Sequence, residues 1–224
     1  MAGALRPILI TFAIPHESIE LRRHLPGDGC RIVHTGIGSE SAIARIDKEL
    51  SRQRPAAVIS AGFSGGLDPG LKVADLVADS TRSAAGLLRL APGSVRRGTF
   101  LSVSTPLESV YAKAAAFAES GAFAVDMETA AIAEACSRAA MPALFLRAIS
   151  DAATDEIPLP FGASYDMVRQ RARPMGICLT LLRSPRRVPR FVQFLGDLKR
   201  ARAALTRTIR EVLAAGAASG WRSD

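Results

Sequence analysis

The chain has 224 residues, of which 48% are hydrophobic, 22% charged and 5% aromatic. This composition is typical of a globular protein and excludes a disordered or fibrous one. A chain of this length buries enough surface on folding to need no disulfide or metal site for stability. The three cysteines, Cys30, Cys136 and Cys178, are far apart and lack the spacing of a zinc site, which indicates core thiols in a reducing compartment.

The net charge of +8 is concentrated towards the end of the sequence. Residues 183–224 contain ten Lys/Arg and three Asp/Glu, so they carry +7 and residues 1–182 carry only +1. After a helix-breaking segment at 183–190, apolar residues recur at helical spacing, which predicts a basic amphipathic helix over 191–213. We therefore expect a domain at 1–182 and an extension at 183–224. The apolar face of that helix could meet a membrane, a partner or the domain itself.

Short aliphatic or β-branched runs alternate with longer helical patterns in residues 1–182, which predicts an α/β fold. The predicted strands are 8–14, 31–35, 57–61, 75–79, 99–104, 121–126 and 143–149. The predicted helices are 17–24, 39–52, 107–119, 127–140 and 163–182. Because no apolar run approaches the length of a membrane span, and the first run is better explained as a buried strand than as a signal peptide, we expect a cytoplasmic protein.

Glycine-rich or polar loops follow three of the predicted strands, and three carboxylates lie at strand ends. In α/β folds, ligands bind at the carboxyl ends of the strands. Each carboxylate alone has an ordinary explanation as a helix cap or as an acid near a helix N-terminus. Together they predict one site at this edge of the sheet. The loops are 35–39, 61–67 and 148–151, and the carboxylates are Glu17, Glu128 and Asp151.

Four segments, taken as a set, resemble the nucleosidases and nucleoside phosphorylases of the purine/uridine phosphorylase superfamily. The resemblance covers about residues 8–182. It implies a three-layer α/β/α domain around a central twisted mixed sheet, and a reaction that breaks an N-ribosidic bond without a metal or organic cofactor. We also expect a homodimer. The segments are 35–38, 58–67 with 71–77, 125–131 and 147–151.

The resemblance also implies roles for individual residues. Met127 and Glu128 match the ribose-binding pair, in which the carboxylate accepts hydrogen bonds from the 2′ and 3′ hydroxyls. Asp151, assisted by Ser150, matches the residue that protonates N7 of the departing purine, and Glu17 matches the carboxylate that activates water. A purine leaves poorly as an anion, so an acid at the base and a carboxylate near the cationic sugar are chemically reasonable. The apolar strand before Asp151 predicts that burial favours its protonated form.

Further residues are expected to contact the nucleoside. Pro106 stands where adenine-specific hydrolases place an aromatic ring, so the base is expected to have flat apolar contact without π stacking. Segment 156–161 is more apolar than most loops and is expected to border the 5′ side of the nucleoside. The hairpin that many members carry before Cys30 is absent or trimmed. The expected contact residues are Phe63, Ser64, Gly65, Pro106 and Leu107.

The choice between water and phosphate as nucleophile depends on charge. The phosphorylases usually carry an arginine at the position of Ser60, and the carboxylate of Glu17 would repel a phosphate dianion. Arg22 and Arg23, on a predicted helix, are the alternative phosphate ligands. The sequence therefore favours a hydrolase, with a phosphorylase as the alternative.

The apolar 5′ wall, the trimmed hairpin and the basic tail resemble the hopanoid-associated branch of the superfamily. This resemblance implies adenosylhopane as substrate, ribosylhopane and adenine as products, and peripheral contact with the inner face of the membrane. The alternatives are hydrolysis of methylthioadenosine/S-adenosylhomocysteine or of futalosine, and two functions without catalysis, nucleoside binding and nucleic-acid binding. The tail has no Tyr or Trp among its arginines before Trp221, so we expect no nucleic-acid partner.

Overall fold

A mixed sheet forms the middle layer of the protein. The computed structural model describes residues 6–25 and 29–219, and within them the sheet has eight strands. These are β1 (Ile8–Phe12), β2 (Cys30–His34), β3 (Val58–Gly66), β4 (Leu76–Asp79), β5 (Arg96–Gly98), β6 (Phe100–Ser102), β7 (Ala124–Asp126) and β8 (Ala143–Asp151). A separate hairpin consists of β9 (Tyr165–Asp166) and β10 (Arg171–Ala172).

Helices cover both faces of the sheet. They are α1 (Pro15–Arg22), α2 (Ser39–Arg52), α3 (Ala85–Leu88), α4 (Val110–Ser120), α5 (Thr129–Arg138), α6 (Phe161–Ser164), α7 (Pro174–Arg183) and α8 (Val188–Ala218). Side chains of α1, α3 and α8 pack into one hydrophobic cluster, and side chains of α2 and α5 pack into a second one. The predicted three-layer α/β/α fold with a mixed sheet is confirmed.

Strand β3 is the branch point of the sheet. The main path runs β2-β1-β3-β8-β4-β5, in which β3 pairs in parallel with β1 and with β8. Beyond a register shift between Ser64 and Gly65, the end of β3 also pairs antiparallel with β7. Parallel strands end at the same edge, so the carboxyl ends of β1, β3 and β8 meet there, and the end of β7 joins them.

The predicted strands are all present, with shifted bounds, and the helix predicted over 163–182 is wrong. That region contains α6, the β9–β10 hairpin and α7 instead. Gln170 has a left-handed backbone (φ +50°), which a helix cannot accommodate. Its side chain also accepts a hydrogen bond from the Ile37 backbone N–H (2.7 Å). Pro174 then begins α7 in the first turn, where proline is well tolerated.

The long C-terminal helix belongs partly to the core. Leu205, Ile209 and Val212 are 1% exposed or less and lie in the cluster that covers one face of the sheet. Residues 183–224 were expected to form an extension, but this half of α8 packs within the domain, and residues 220–224 lie outside the described residues. None of the described helices is both long and apolar enough to cross a membrane.

Candidate active site

A cavity of about 270 Å³ opens at the edge where β1, β3, β7 and β8 end. Loop 157–161 and α8 complete its walls. The structure brings every sequence-predicted site residue to these walls, although they come from five separate parts of the chain. The roles assigned to them stay predictions. The residues are Glu17, Phe63, Ser64, Gly65, Pro106, Leu107, Met127, Glu128, Ser150 and Asp151.

Glu17 lies in the first turn of α1 and is 5% exposed. Its carboxylate accepts hydrogen bonds from the backbone N–H groups of Phe63 (2.8 Å) and Ile14 (3.1 Å). A Cβ atom at Gly62 would lie 2.9 Å from Glu17 Oε1, so glycine at this position lets β3 approach the carboxylate. Burial raises the pKa of Glu17 above its usual range, against the effect of these hydrogen bonds and of Arg147.

Glu128 lies at the start of α5 and is held by the glycine loop after β2. Its Oε1 atom accepts a hydrogen bond from the Gly38 backbone N–H (2.8 Å). Gly38 has φ +92°, a conformation that glycine adopts without strain. Burial, and then the nearby Asp126 carboxylate, raise the pKa of Glu128 to about 7. The loop at 35–39 therefore positions a carboxylate in this cavity.

Asp151 is held by hydrogen bonds to both carboxylate oxygens. The Ser150 hydroxyl lies 2.6 Å from Oδ1 and 3.1 Å from the carbonyl oxygen of Ser64. The Lys113 ammonium lies 2.5 Å from Oδ2. Asp151 is therefore buried together with an opposite charge, which the sequence did not indicate.

Lys113 is a site residue that the sequence analysis missed. It lies on α4, where of all the described residues it alone is buried. A lone lysine between alanines in an otherwise apolar helix was the available signal, but a solvent-exposed lysine is the commoner interpretation of such a pattern. Only the fold, which places α4 against the end of β8, shows that this lysine is buried and not exposed to solvent.

Arg147 was part of the family resemblance, and its surroundings decide what it can bind. Its Nε donates to Asp126 Oδ2 (2.8 Å), its Nη2 to Thr129 Oγ1 (2.8 Å) and its Nη1 to the Ser60 carbonyl (3.1 Å). The guanidinium is thus paired and its donors are engaged. Within the described chain, Lys and Arg side chains do not line the larger cavity.

A second, smaller hollow of about 10 Å³ adjoins Glu17. It has about the volume that one water molecule needs. Its polar walls come from Glu17, Glu128, Arg147, Ser60 and Thr11. The Thr11 hydroxyl has no hydrogen-bond partner among the described residues. The hollow suits a small polar molecule.

Part of the wall of the larger cavity, called its apolar end below, is hydrophobic. Ile157, Leu159 and Phe161 of segment 156–161 line it, and their position on the 5′ side of a nucleoside stays a prediction. Glu108 fixes this loop, because its carbonyl accepts from the Ile157 N–H (3.0 Å) and its carboxylate from the Phe161 N–H (2.7 Å).

Phe194 and Leu198 of α8 also belong to this apolar end. The sequence left open whether the apolar face of this helix meets a membrane, a partner or the domain itself. For these two residues and for Leu205 the domain covers it, because the first two line the cavity and the third lies in the core.

The composition of the site argues for acid–base chemistry. Among residues 6–25 and 29–219, no group of three or more His, Cys, Asp or Glu side chains is placed to hold a metal ion. The cavity walls combine buried carboxylates with aliphatic and aromatic side chains. It can accept a ligand with a polar, proton-accepting part and an apolar part.

Comparison with known proteins agrees with this geometry. Residues 78–176 match a family model described as the phosphorylase superfamily. The predicted resemblance to this superfamily is confirmed. The matched segment contains the Glu128 and Asp151 regions, and Glu17 lies outside it.

Solved structures with the same fold include three enzymes. A 5′-methylthioadenosine/S-adenosylhomocysteine nucleosidase from Colwellia psychrerythraea 34H, in complex with adenine, has a TM-score of 0.69 and 20% identity over 95% of this chain and 96% of its own. The corresponding nucleosidase from Neisseria meningitidis, in complex with methylthio-immucillin-A, has a TM-score of 0.69 and 21% identity over 93% and 99%. Futalosine hydrolase of Helicobacter pylori strain 26695 has a TM-score of 0.69 and 16% identity over 94% and 98%. At these identities the likeness establishes the fold.

The raised pKa of Glu128 predicts a pH-dependent stability. Between pH 4.5 and about 7 the folded protein keeps a proton on Glu128 that the unfolded chain has released. Rising pH across this window therefore lowers the free energy of unfolding, by on the order of 3 kcal/mol. Glu128→Gln removes the titrating group and should abolish this part of the pH dependence. Urea denaturation of both proteins at about pH 5 and about pH 8 measures the difference, and parallel pH dependences would contradict the assignment.

Proposed function

We propose that the protein is an N-ribosyl hydrolase that releases adenine from a nucleoside with an apolar 5′ group. The observation that carries this proposal is the arrangement of one cavity. Its walls combine a carboxyl group paired with a lysine (Asp151), a buried carboxylate at a helix start (Glu128), and a third carboxylate (Glu17) beside a water-sized hollow. The adenine complex of the Colwellia enzyme supports adenine as the base.

The chemistry divides between the two ends of the scissile bond. At the base, Asp151 donates a proton to N7, so that adenine leaves as a neutral molecule. Ser150 fixes the direction of that carboxyl group through its hydroxyl (2.6 Å). At the sugar, the carboxylate of Glu128 accepts hydrogen bonds from the ribose hydroxyls and stabilises the positive charge that develops on the ring. Phe63, Ser64, Gly65, Pro106, Leu107 and Met127 complete the contacts to base and ribose.

Water is favoured over phosphate as the nucleophile. Glu17 lines both cavities and can accept the proton that water loses on attack. Arg147 has its donors engaged by Asp126, Thr129 and Ser60, so it does not offer a free guanidinium to a phosphate dianion. The alternative phosphate ligands, Arg22 at the end of α1 and Arg23 directly after it, are exposed and outside the cavity walls.

The first test is release of adenine from methylthioadenosine in phosphate-free buffer. We expect turnover without phosphate and free ribose-type product. Asp151→Asn should lower kcat by about 10²-fold or more, since an amide cannot supply the acidic proton. Glu17→Gln should lower it comparably, and circular dichroism should confirm that both variants fold. A requirement for phosphate, with a sugar 1-phosphate as product, would reassign the protein as a phosphorylase.

The apolar end of the cavity supports a hydrophobic 5′ substituent. Phe161, Phe194 and Leu198 form this end, and each is partly exposed, so a chain leaving the cavity here meets apolar side chains. Adenosylhopane is the member of this substrate class that the sequence resemblance implied. Methylthioadenosine is a smaller member of the same class, whereas S-adenosylhomocysteine and futalosine carry polar 5′ groups.

The second test is a series of 5′-alkylthioadenosines from methyl to octyl. For each methylene that enters the apolar end, kcat/KM should rise by roughly fourfold, which corresponds to about 0.8 kcal/mol. Phe194→Ala should reduce the increase in kcat/KM with the length of the 5′ alkyl chain. Phe191→Ala is the matched control, because Phe191 is on the same helix and outside the cavity walls. Equal rates along the series, or faster cleavage of S-adenosylhomocysteine, would exclude a hydrophobic substrate.

The surface beside the apolar end supports peripheral contact with an anionic membrane. Residues 167–196 contain seven arginines and no acidic residue. Three of these arginines, Arg169, Arg173 and Arg190, pair with Asp166 or Asp155 outside the segment. The same segment exposes Val168 (94%), Leu182 (76%), Met175 (73%) and Val192 (61%). Arginines contribute on the order of 1 kcal/mol each near an anionic leaflet. A second copy of this surface would bring like charges together, so a lipid surface is the better occupant.

The third test is sedimentation with vesicles at physiological salt. The protein should sediment with phosphatidylglycerol-containing vesicles and much less with pure phosphatidylcholine. Leu182→Ser with Val192→Ser should weaken this binding, whereas Tyr111→Ser, an exposed apolar residue outside the segment (84%), should not. Point variants are needed because deletion of α8 would remove core residues. The membrane proposal would be contradicted if the wild type did not sediment with either kind of vesicle. It would also be contradicted if the double substitution dissociated a dimer.

A further inference from the structure

Lys113 occupies an environment that a lysine rarely enters without a partner. Its side chain is fully buried, and its ammonium group has three acceptors: Asp151 Oδ2 (2.5 Å), the Asp155 carbonyl (2.8 Å) and the Ala152 carbonyl (2.9 Å). Burying an ion pair requires removing two charges from water, and apolar residues in its place often give equal or greater stability. The pair therefore calls for an explanation other than stability.

The surrounding residues keep this pair in place. A Cβ atom at Gly65 would lie 3.2 Å from Asp151 Oδ2 and 3.8 Å from the Lys113 side chain, so the glycine leaves room for both. Asp155 closes the loop behind the lysine, because its carboxylate accepts from the Ala152 N–H (3.0 Å) and pairs with Arg190 of α8 (3.1 Å). The ammonium thus contacts the carboxylate oxygen opposite the one that Ser150 holds.

The proposed function requires a source for the proton that Asp151 gives to N7. The Lys113 ammonium is a proton donor, and it lies 2.5 Å from Asp151 Oδ2. We propose that Lys113 holds the proton that Asp151 passes to the departing purine. The inference rests on the proposed function, and within it Lys113 is a positioning residue that acts through Asp151.

One proton moves along a single path. The C1′–N9 bond breaks and its electron pair goes to the purine. A proton passes from the Lys113 ammonium to Asp151 Oδ2, and the same proton passes from Oδ2 to N7, so Lys113 becomes a neutral amine and Asp151 is again a carboxylate. The water oxygen bonds to C1′ and its proton passes to Glu17. Glu17 later releases one proton to solvent and Lys113 takes one up, which restores the resting state with water consumed.

The test compares two leaving groups. Adenine needs the proton, whereas p-nitrophenolate is a stable anion and leaves from p-nitrophenyl β-D-ribofuranoside without one. Lys113→Met, which preserves length and removes the proton, should lower kcat for methylthioadenosine by about 10²-fold while KM changes little. It should lower the rate for the nitrophenyl riboside less than about fivefold. Asp151→Asn should show the same selectivity.

Two further variants separate proton supply from structure. Lys113→Gln keeps an amide that can donate to the loop carbonyls, and it provides the measurement should Lys113→Met not fold. Lys48→Met removes an exposed lysine of α2 and should leave both rates unchanged. Equal losses with both substrates in the Met or Gln variant would make Lys113 a purely structural residue and overturn the inference. Wild-type protein that cleaves neither substrate would instead overturn the proposed function.

Discussion

Burial of charge at the carboxyl edge of the sheet is the constraint on which the rest of this site depends. Among the described residues, four carboxylates line the cavity, and each is less than a tenth exposed. Such groups are destabilising unless each finds a partner. Arg147 pairs with Asp126, and Lys113 pairs with Asp151. Backbone N–H groups donate hydrogen bonds to Glu17 and Glu128.

The backbone around the site follows from the same constraint. Gly62 lets β3 approach one carboxylate, Gly65 leaves room for the lysine pair, and Gly38 turns its N–H towards Glu128. The register shift after Ser64 lets the end of β3 pair with both β7 and β8. Substitution of these glycines would displace the buried carboxylates from these partners, which explains why small residues cluster where the chemistry is proposed.

Much of the fold and many of the cavity residues could be predicted, because they depend on local patterns. Alternation of aliphatic strands with helical periodicity locates the layers, and the carboxylates stand directly after strands. Lys113 could not be found in this way, since its partner is 38 residues away and only packing decides that a helix buries its lysine. The hairpin around Gln170 was missed for the same reason, because its side chain bonds a loop 133 residues away.

The C-terminal helix illustrates how one periodic pattern can serve several surfaces. A single apolar stripe along α8 contributes Leu205 and Ile209 to the core and Phe194 to the cavity, while Val192 stays exposed. Sequence periodicity indicates that a helix has an apolar face, but it does not say what covers that face. Because α8 contributes side chains to both core and cavity, the proposed chemistry and the proposed substrate preference share one scaffold.

The central claim is that the buried carboxylates at this edge bind and activate a purine nucleoside. The most direct measurement is a crystal structure of the protein with adenine. The account predicts adenine in the cavity of about 270 Å³, with N7 within hydrogen-bond distance of Asp151 Oδ2 and the Lys113 ammonium still bonded to the same oxygen. Adenine bound elsewhere, or bound in this cavity with N7 turned away from Asp151, would contradict it.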